Sequence, residues 1–133
     1  EGITWTRPVD TPWGLSGDRH QHVQLQDGRL LFVFRDGAPQ FREGLKTGPM
    51  RYFRLDGFVG WVGTYDDLRN CRVGQYTIRL LPRLGDTGYL GLHQLADGTI
   101  VATTYGVLNA GEKPSIVSLR FSMEEIDAMG AKK

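Results

Sequence analysis

The sequence predicts an all-β protein made of propeller-type blades: about two four-stranded antiparallel sheets, followed by one short C-terminal helix. Three observations lead there. The chain carries one segment twice, since Gln24-Leu25-Gln26-Asp27-Gly28 returns 70 residues later (94 − 24) as Gln94-Leu95-Ala96-Asp97-Gly98. In both copies Asp-Gly separates two short apolar runs, a strong hairpin signal because Gly accepts positive φ and Asp tolerates it. The runs after the turns, Leu30–Arg35 and Thr99–Tyr105, are rich in β-branched and aromatic residues and apolar on both alternating faces. Strands covered on both sides read that way. A repeated four-stranded unit points to blades, with insertions stretching the usual period of ~40–50 residues.

At 133 residues the chain fits one domain or part of one, read as a single partial propeller with units at about 17–82 and 88–122. A hydrophobic fraction of 40% supports a packed core rather than disorder. The net charge of +1, with no basic run outside Lys132-Lys133, gives no support to nucleic-acid or membrane-surface binding. No apolar stretch approaches the ~18 residues of a membrane-spanning helix. Cys71 is the only cysteine, so an internal disulfide is impossible and the compartment stays open.

Element by element, Glu1–Trp5 reads as the second half of a hairpin, and Pro8 and Pro12 make the next segment too interrupted for a central strand. In Asp18–Leu25, Val23 and Leu25 alternate with His20, His22 and Gln24, which assigns a strand with two unlike faces. The stretch 36–57 shows no periodicity and reads as a long connection of the kind that is usually functional or mobile. Phe58–Tyr65 and Gln75–Leu81 are the next strands, joined by a polar loop, Asp66–Gly74, in which Asp66-Asp67 reads as a turn. Pro82–Thr87 is a loop. Leu90–Leu95, Thr99–Tyr105 and Ser115–Phe121 come after it as strands, and Ser122-Met123-Glu124-Glu125 matches a capping box opening a helix over about 123–129. The second unit thus has three candidate strands where the first has four. A ring would need its fourth from another segment.

These residues resemble the sialidase family of six-bladed propellers. Gly2-Ile3-Thr4-Trp5 is similar to the tail of an Asp box, S-x-D-x-G-x-T-W. The segment 88–100, GYLGLHQLADGTI, resembles one in which a tyrosine nucleophile precedes a strand and an L-x-D-G-T-I turn. Gln24–Arg35 resembles a segment running through an L-x-D-G turn to an arginine of the carboxylate-binding triad. Phe58–Leu81, with its VGTYDDL core, is similar to bacterial sialidase-like proteins. The resemblance covers only the C-terminal part of a sialidase.

It implies that Tyr89 attacks the anomeric carbon of a sialoside, where a carboxylate nucleophile would be repelled by the sugar's own carboxylate. It also implies that Arg35 captures that carboxylate with its planar fork. Strand-edge packing of Tyr89 and an ordinary snorkelling Arg35 are the competing readings. The repeat places Arg35 where Tyr105 falls and Arg19 where Tyr89 falls, so equivalent positions of successive units would face one pocket, with Asp36 beside Arg35. Where the family has a glutamate that activates the tyrosine, this chain reads Asp18-Arg19-His20, leaving Asp18 or His20 as substitutes. Arg51, Arg54 and Arg72 are candidates for the remaining triad arginine. The acid/base aspartate belongs to earlier blades, so the isolated chain is expected to be inactive.

Asp18, His20 and His22 could ligate a metal, but no second cluster completes the site, and solvated or stacked histidines are the favoured reading. Cys71 lies between Arg69 and Arg72 with no histidine beside it in sequence. No phosphate loop or dinucleotide fingerprint is present, so no cofactor and no metal are expected. The expected partners are a sialoside-like carbohydrate and, because an incomplete ring exposes apolar faces and strand edges, further copies of the chain. A non-catalytic sugar- or protein-binding module is the alternative to the hydrolase.

Overall fold

A computed structural model describes residues 2–11, 13–15, 17–36, 57–82 and 87–131, with Trp13 described by its backbone alone. Among these residues, seven strands form two antiparallel sheets. The first sheet contains β1 (Asp18–Gln24), β2 (Leu30–Asp36), β3 (Gly57–Gly63) and β4 (Tyr76–Pro82), in that order. The second contains β5 (Gly88–Gln94), β6 (Ile100–Gly106) and β7 (Ser115–Phe121). The second sheet has three strands, not four, and β7 is its edge among the described residues. The connection 37–56, with Arg51 and Arg54, and positions 83–86 of the second loop lie outside the described residues.

Both Asp-Gly turns close hairpins in the same way. The amide of Gly28 donates to the Leu25 carbonyl and that of Gly98 to the Leu95 carbonyl, while Gly28 and Gly98 take φ of 87° and 88°. Asp27 and Asp97 accept the amide two residues on, at 3.0 and 2.9 Å. Those bonds hold both carboxyls below the usual carboxylate range. For Asp27 the Arg29 side chain is the larger cause, and for Asp97 the Thr99 amide. The duplication is therefore one of backbone conformation as well as of letters.

The expectation that β2 is covered on both faces holds. Leu31 and Val33 join Leu25 from the first turn, Phe58, Val62 and Ile78 from their own sheet and Leu90, Ile100 and Ala102 from the other, forming one shared core. On the opposite face Leu30 and Phe34 pack with Leu15, Val59 and Trp61. Trp61 is fully buried, its indole N–H donates to the Val73 carbonyl at 2.7 Å, and Gly14 and Gly74 leave it room: a Cβ at either would come within 2.6 Å of the indole. His20 and His22 stack on Phe34 and Phe32, on this face, with centroids 4.7 and 5.1 Å apart.

The sheets meet along β1 and β5. At one end of these strands the two repeated turns touch: the Gln26 amide donates to Gln94 Oε1 at 2.9 Å, and Gln26 Nε2 reaches the Leu95 and Ala96 carbonyls. The stretch expected as a polar loop contains a helix, α1 (Tyr65–Arg69), so there are two α-helices among the described residues rather than the one expected. Thr64 and Asp67 form a capping box that opens α1, and Ser122 and Glu125 form the expected one that opens α2 (Met123–Gly130). After β3, and again after β7, the chain enters a capped helix. α2 packs on β4, buries Ile126 in the shared core, and is pinned by a clamp: Asp127 accepts both Arg29 Nη atoms at 2.8 and 2.9 Å and the Tyr76 hydroxyl.

Candidate functional site

The site forms at the other end of β1 and β5, opposite the paired turns. Two equivalent backbone irregularities build it. β1 pairs regularly with β2 until Asp18–Gln21, where two residues oppose one; β5 does the same against β6 at Gly88–Gly91. Inside the bulges Arg19 and Tyr89 have φ of 56° and 48°, two of the three non-glycine residues with positive φ among those described. Each such conformation costs on the order of 1–2 kcal/mol for a residue with a Cβ. Bulges re-aim side chains, and these two aim at each other.

The Arg19 guanidinium lies over the Tyr89 ring with its carbon 3.8 Å from the centroid. Tyr89 in turn stacks against Tyr105, with ring centroids 6.4 Å apart and planes inclined by 24°. Tyr89 remains 69% exposed, so this layer of guanidinium and two phenol rings is open to solvent. Gly88 makes the approach possible. A Cβ there would stand 2.7 Å from Arg19 Cδ, and its φ of 150° suits glycine.

Arg35 is engaged differently. Its Nε and Nη2 donate to the two oxygens of Asp18 at 2.8 and 2.7 Å, and its Nη1 donates to the Thr87 carbonyl at 3.0 Å. The Arg35 side chain is only 15% exposed, against 52% for Asp18. The Arg35 hydrogen bonds hold the Asp18 carboxyl below the usual carboxylate range, against a smaller opposing effect of burial. Thr87 carries this anchor into the second sheet, since its hydroxyl donates to the Tyr105 carbonyl at 2.7 Å. Thr104 donates to the Gly88 carbonyl at 2.6 Å. Both threonines are buried, so the backbone beneath Tyr89 is tied down from two sides.

Of the residues singled out in the sequence, Asp18, Arg19, Arg35, Tyr89 and Tyr105 come together at this rim. His20 and Asp36 do not join the layer. His20 shares a hydrogen bond of 3.0 Å with the Leu15 carbonyl and stacks on Phe34, whose cluster contains no residue of the second sheet. Asp36 is buried at the end of β2 opposite Gly57. Arg72 pairs with Asp66 at 2.8 Å, beside α1. Among the described residues, no carboxylate or imidazole hydrogen-bonds the Tyr89 hydroxyl. The residue against the Tyr89 ring is Arg19, the middle residue of the Asp18-Arg19-His20 triplet.

Sequence reasoning missed Thr87, Gly88 and Thr104. Gly88 had one available signal, its offset of 70 from Asp18 at the start of the other bulge. No group of three or more potential metal ligands occurs among the described residues. No protein-family model, curated protein or solved structure matches the chain.

Proposed function

We propose that the chain forms two neighbouring blades of a sialidase-like β-propeller, and that the rim around Tyr89 binds a sugar bearing a carboxylate. The observation that carries this reading is the repeated bulge, which sends Arg19 from one sheet onto Tyr89 from the next. A cation beside exposed aromatic faces suits such a ligand: tyrosine faces accept the apolar side of a pyranose, and a guanidinium accepts the anion. The paired inner strands, with α2 packed beside an outer strand, are compatible with radial sheets. Binding without cleavage is the favoured form, because Tyr89 has a cation rather than a base for a neighbour. An amide-resolved NMR titration of the chain with N-acetylneuraminic acid tests it. Saturable shifts at Arg19, Tyr89 and Tyr105 are expected, and their absence at millimolar sugar refutes the reading.

One observation favours the hydrolase as a second reading: Tyr89 is exposed and held in a left-handed backbone, a cost that proteins commonly retain at reacting groups. A fluorogenic sialoside assay on a chain carrying the remaining blades, with Tyr89→Phe as control, separates the two. Turnover abolished by Tyr89→Phe supports hydrolysis; no turnover, or turnover unchanged in the variant, removes Tyr89 from the chemistry.

A further inference from the structure

The geometry points to Arg19, rather than Arg35, as the group that takes the ligand's anion at this rim. This inference rests on the reading of the rim as a site for an acidic sugar, and it assigns the specificity to one side chain.

The two arginines differ in what already holds them. Arg35 meets both Asp18 oxygens and the Thr87 carbonyl, with its side chain 15% exposed. A ligand carboxylate arriving there would have to displace an internal one that has the same geometry and is always present. Arg35 and Asp18 therefore behave as a strut between β1, β2 and the segment leading into β5.

Arg19 is exposed, and among the described residues it makes no ion pair. Its guanidinium rests on the Tyr89 face. A guanidinium lying over a ring is attracted by the ring face without spending its N–H donors, and two of those donors suit a carboxylate. The stack also restricts the side chain before any ligand arrives, which reduces the ordering lost on binding. Three features of the backbone maintain that pose: the bulge at Asp18–Gln21, the left-handed φ of Arg19, and the missing Cβ of Gly88 beneath the Arg19 stem. Asp18, the nearest carboxylate in sequence, is committed to Arg35 and so is kept from closing on Arg19. The Arg35–Asp18 strut thus leaves Arg19 without an ion pair among the described residues.

Isothermal titration of the full chain with N-acetylneuraminic acid and with its uncharged methyl ester tests the assignment. The unaltered protein is expected to prefer the acid by about tenfold or more, the scale of a charge-assisted bidentate contact. Arg19→Gln is expected to erase that preference, so that acid and ester bind alike. A purely structural role for Arg19 would weaken both ligands together and keep their ratio, so a retained preference overturns the assignment while leaving the rim reading intact. Equal binding of acid and ester by the unaltered protein also overturns it. Binding of neither removes the rim reading itself, and this inference with it. Should Arg19→Gln fold poorly, Arg19→Asn serves as the second variant, because asparagine tolerates a left-handed backbone.

Discussion

Replacing Asp18 by Asn removes a charge from the strut without removing its volume, and the geometry sets the cost. Two charge-assisted bonds of 2.8 and 2.7 Å are weakened, and Arg35 is left partly enclosed without its counter-ion. A hydrogen bond to a charged group contributes about 1.5–3 kcal/mol when well shielded. Asp18 is half exposed, so solvent screening lowers the pair towards the surface range, and about 1–2 kcal/mol is expected. In a chain of this size that is a fall in Tm of roughly 3–10 °C by differential scanning calorimetry. The effect carries a pH signature. The Asp18 carboxyl ionises more readily folded than unfolded, so its contribution is complete above about pH 4 and fades as the pH falls through its lowered value. Asp18→Asn should therefore be less stable than the unaltered protein at pH 7 and approach it as the pH falls below the usual carboxylate range. A variant as stable as the parent at pH 7 would refute the claim that this pair braces the rim.

The remaining expectations concern the helix clamp and the sheet edge. Burial, and then Asp127, push the Tyr76 hydroxyl well above the ordinary tyrosine value of 10.0, so its contribution is complete below about pH 10 and is lost as the pH rises further. Asp127→Asn should flatten that alkaline loss and speed amide exchange in α2; exchange unchanged in α2 would contradict the clamp. Ile116, 78% exposed on edge strand β7, should drive self-association of the chain. Light scattering should show mass rising with concentration and Ile116→Lys lowering it, whereas a monomer at every concentration would refute this.

How much was legible in the sequence depended on whether the signal was local. The Asp-Gly turns, the doubly apolar β2 and the Ser122 capping box arise from short patterns, and each stands where it was expected. The helix α1 is equally legible, since Thr64-Tyr65-Asp66-Asp67 is itself a capping-box pattern, but two adjacent acids between strands also suit a turn. At the site, the offset of 70 residues put Arg19 level with Tyr89 and Arg35 level with Tyr105. It could not say that Arg19 would cross to the neighbouring sheet. That depends on a bulge in which a non-glycine residue takes positive φ, a conformation with no sequence signature of its own. Arg35 was read as an open fork because its strand ends there. Its partner Asp18 sits 17 residues away and meets it only through the β1–β2 register. The clamp of Arg29, Tyr76 and Asp127 joins three distant segments and was invisible for the same reason.

The rim exists as a site only if Arg19 crosses between the sheets to lie on Tyr89, and proton NMR measures this directly. Nuclear Overhauser contacts between the Arg19 side-chain methylenes and the Tyr89 ring, with those methylenes shifted upfield by the ring current, are the predicted result. Unshifted Arg19 methylenes with no cross-peak to Tyr89, in a chain whose β1–β2 and β5–β6 pairings are intact, would contradict it.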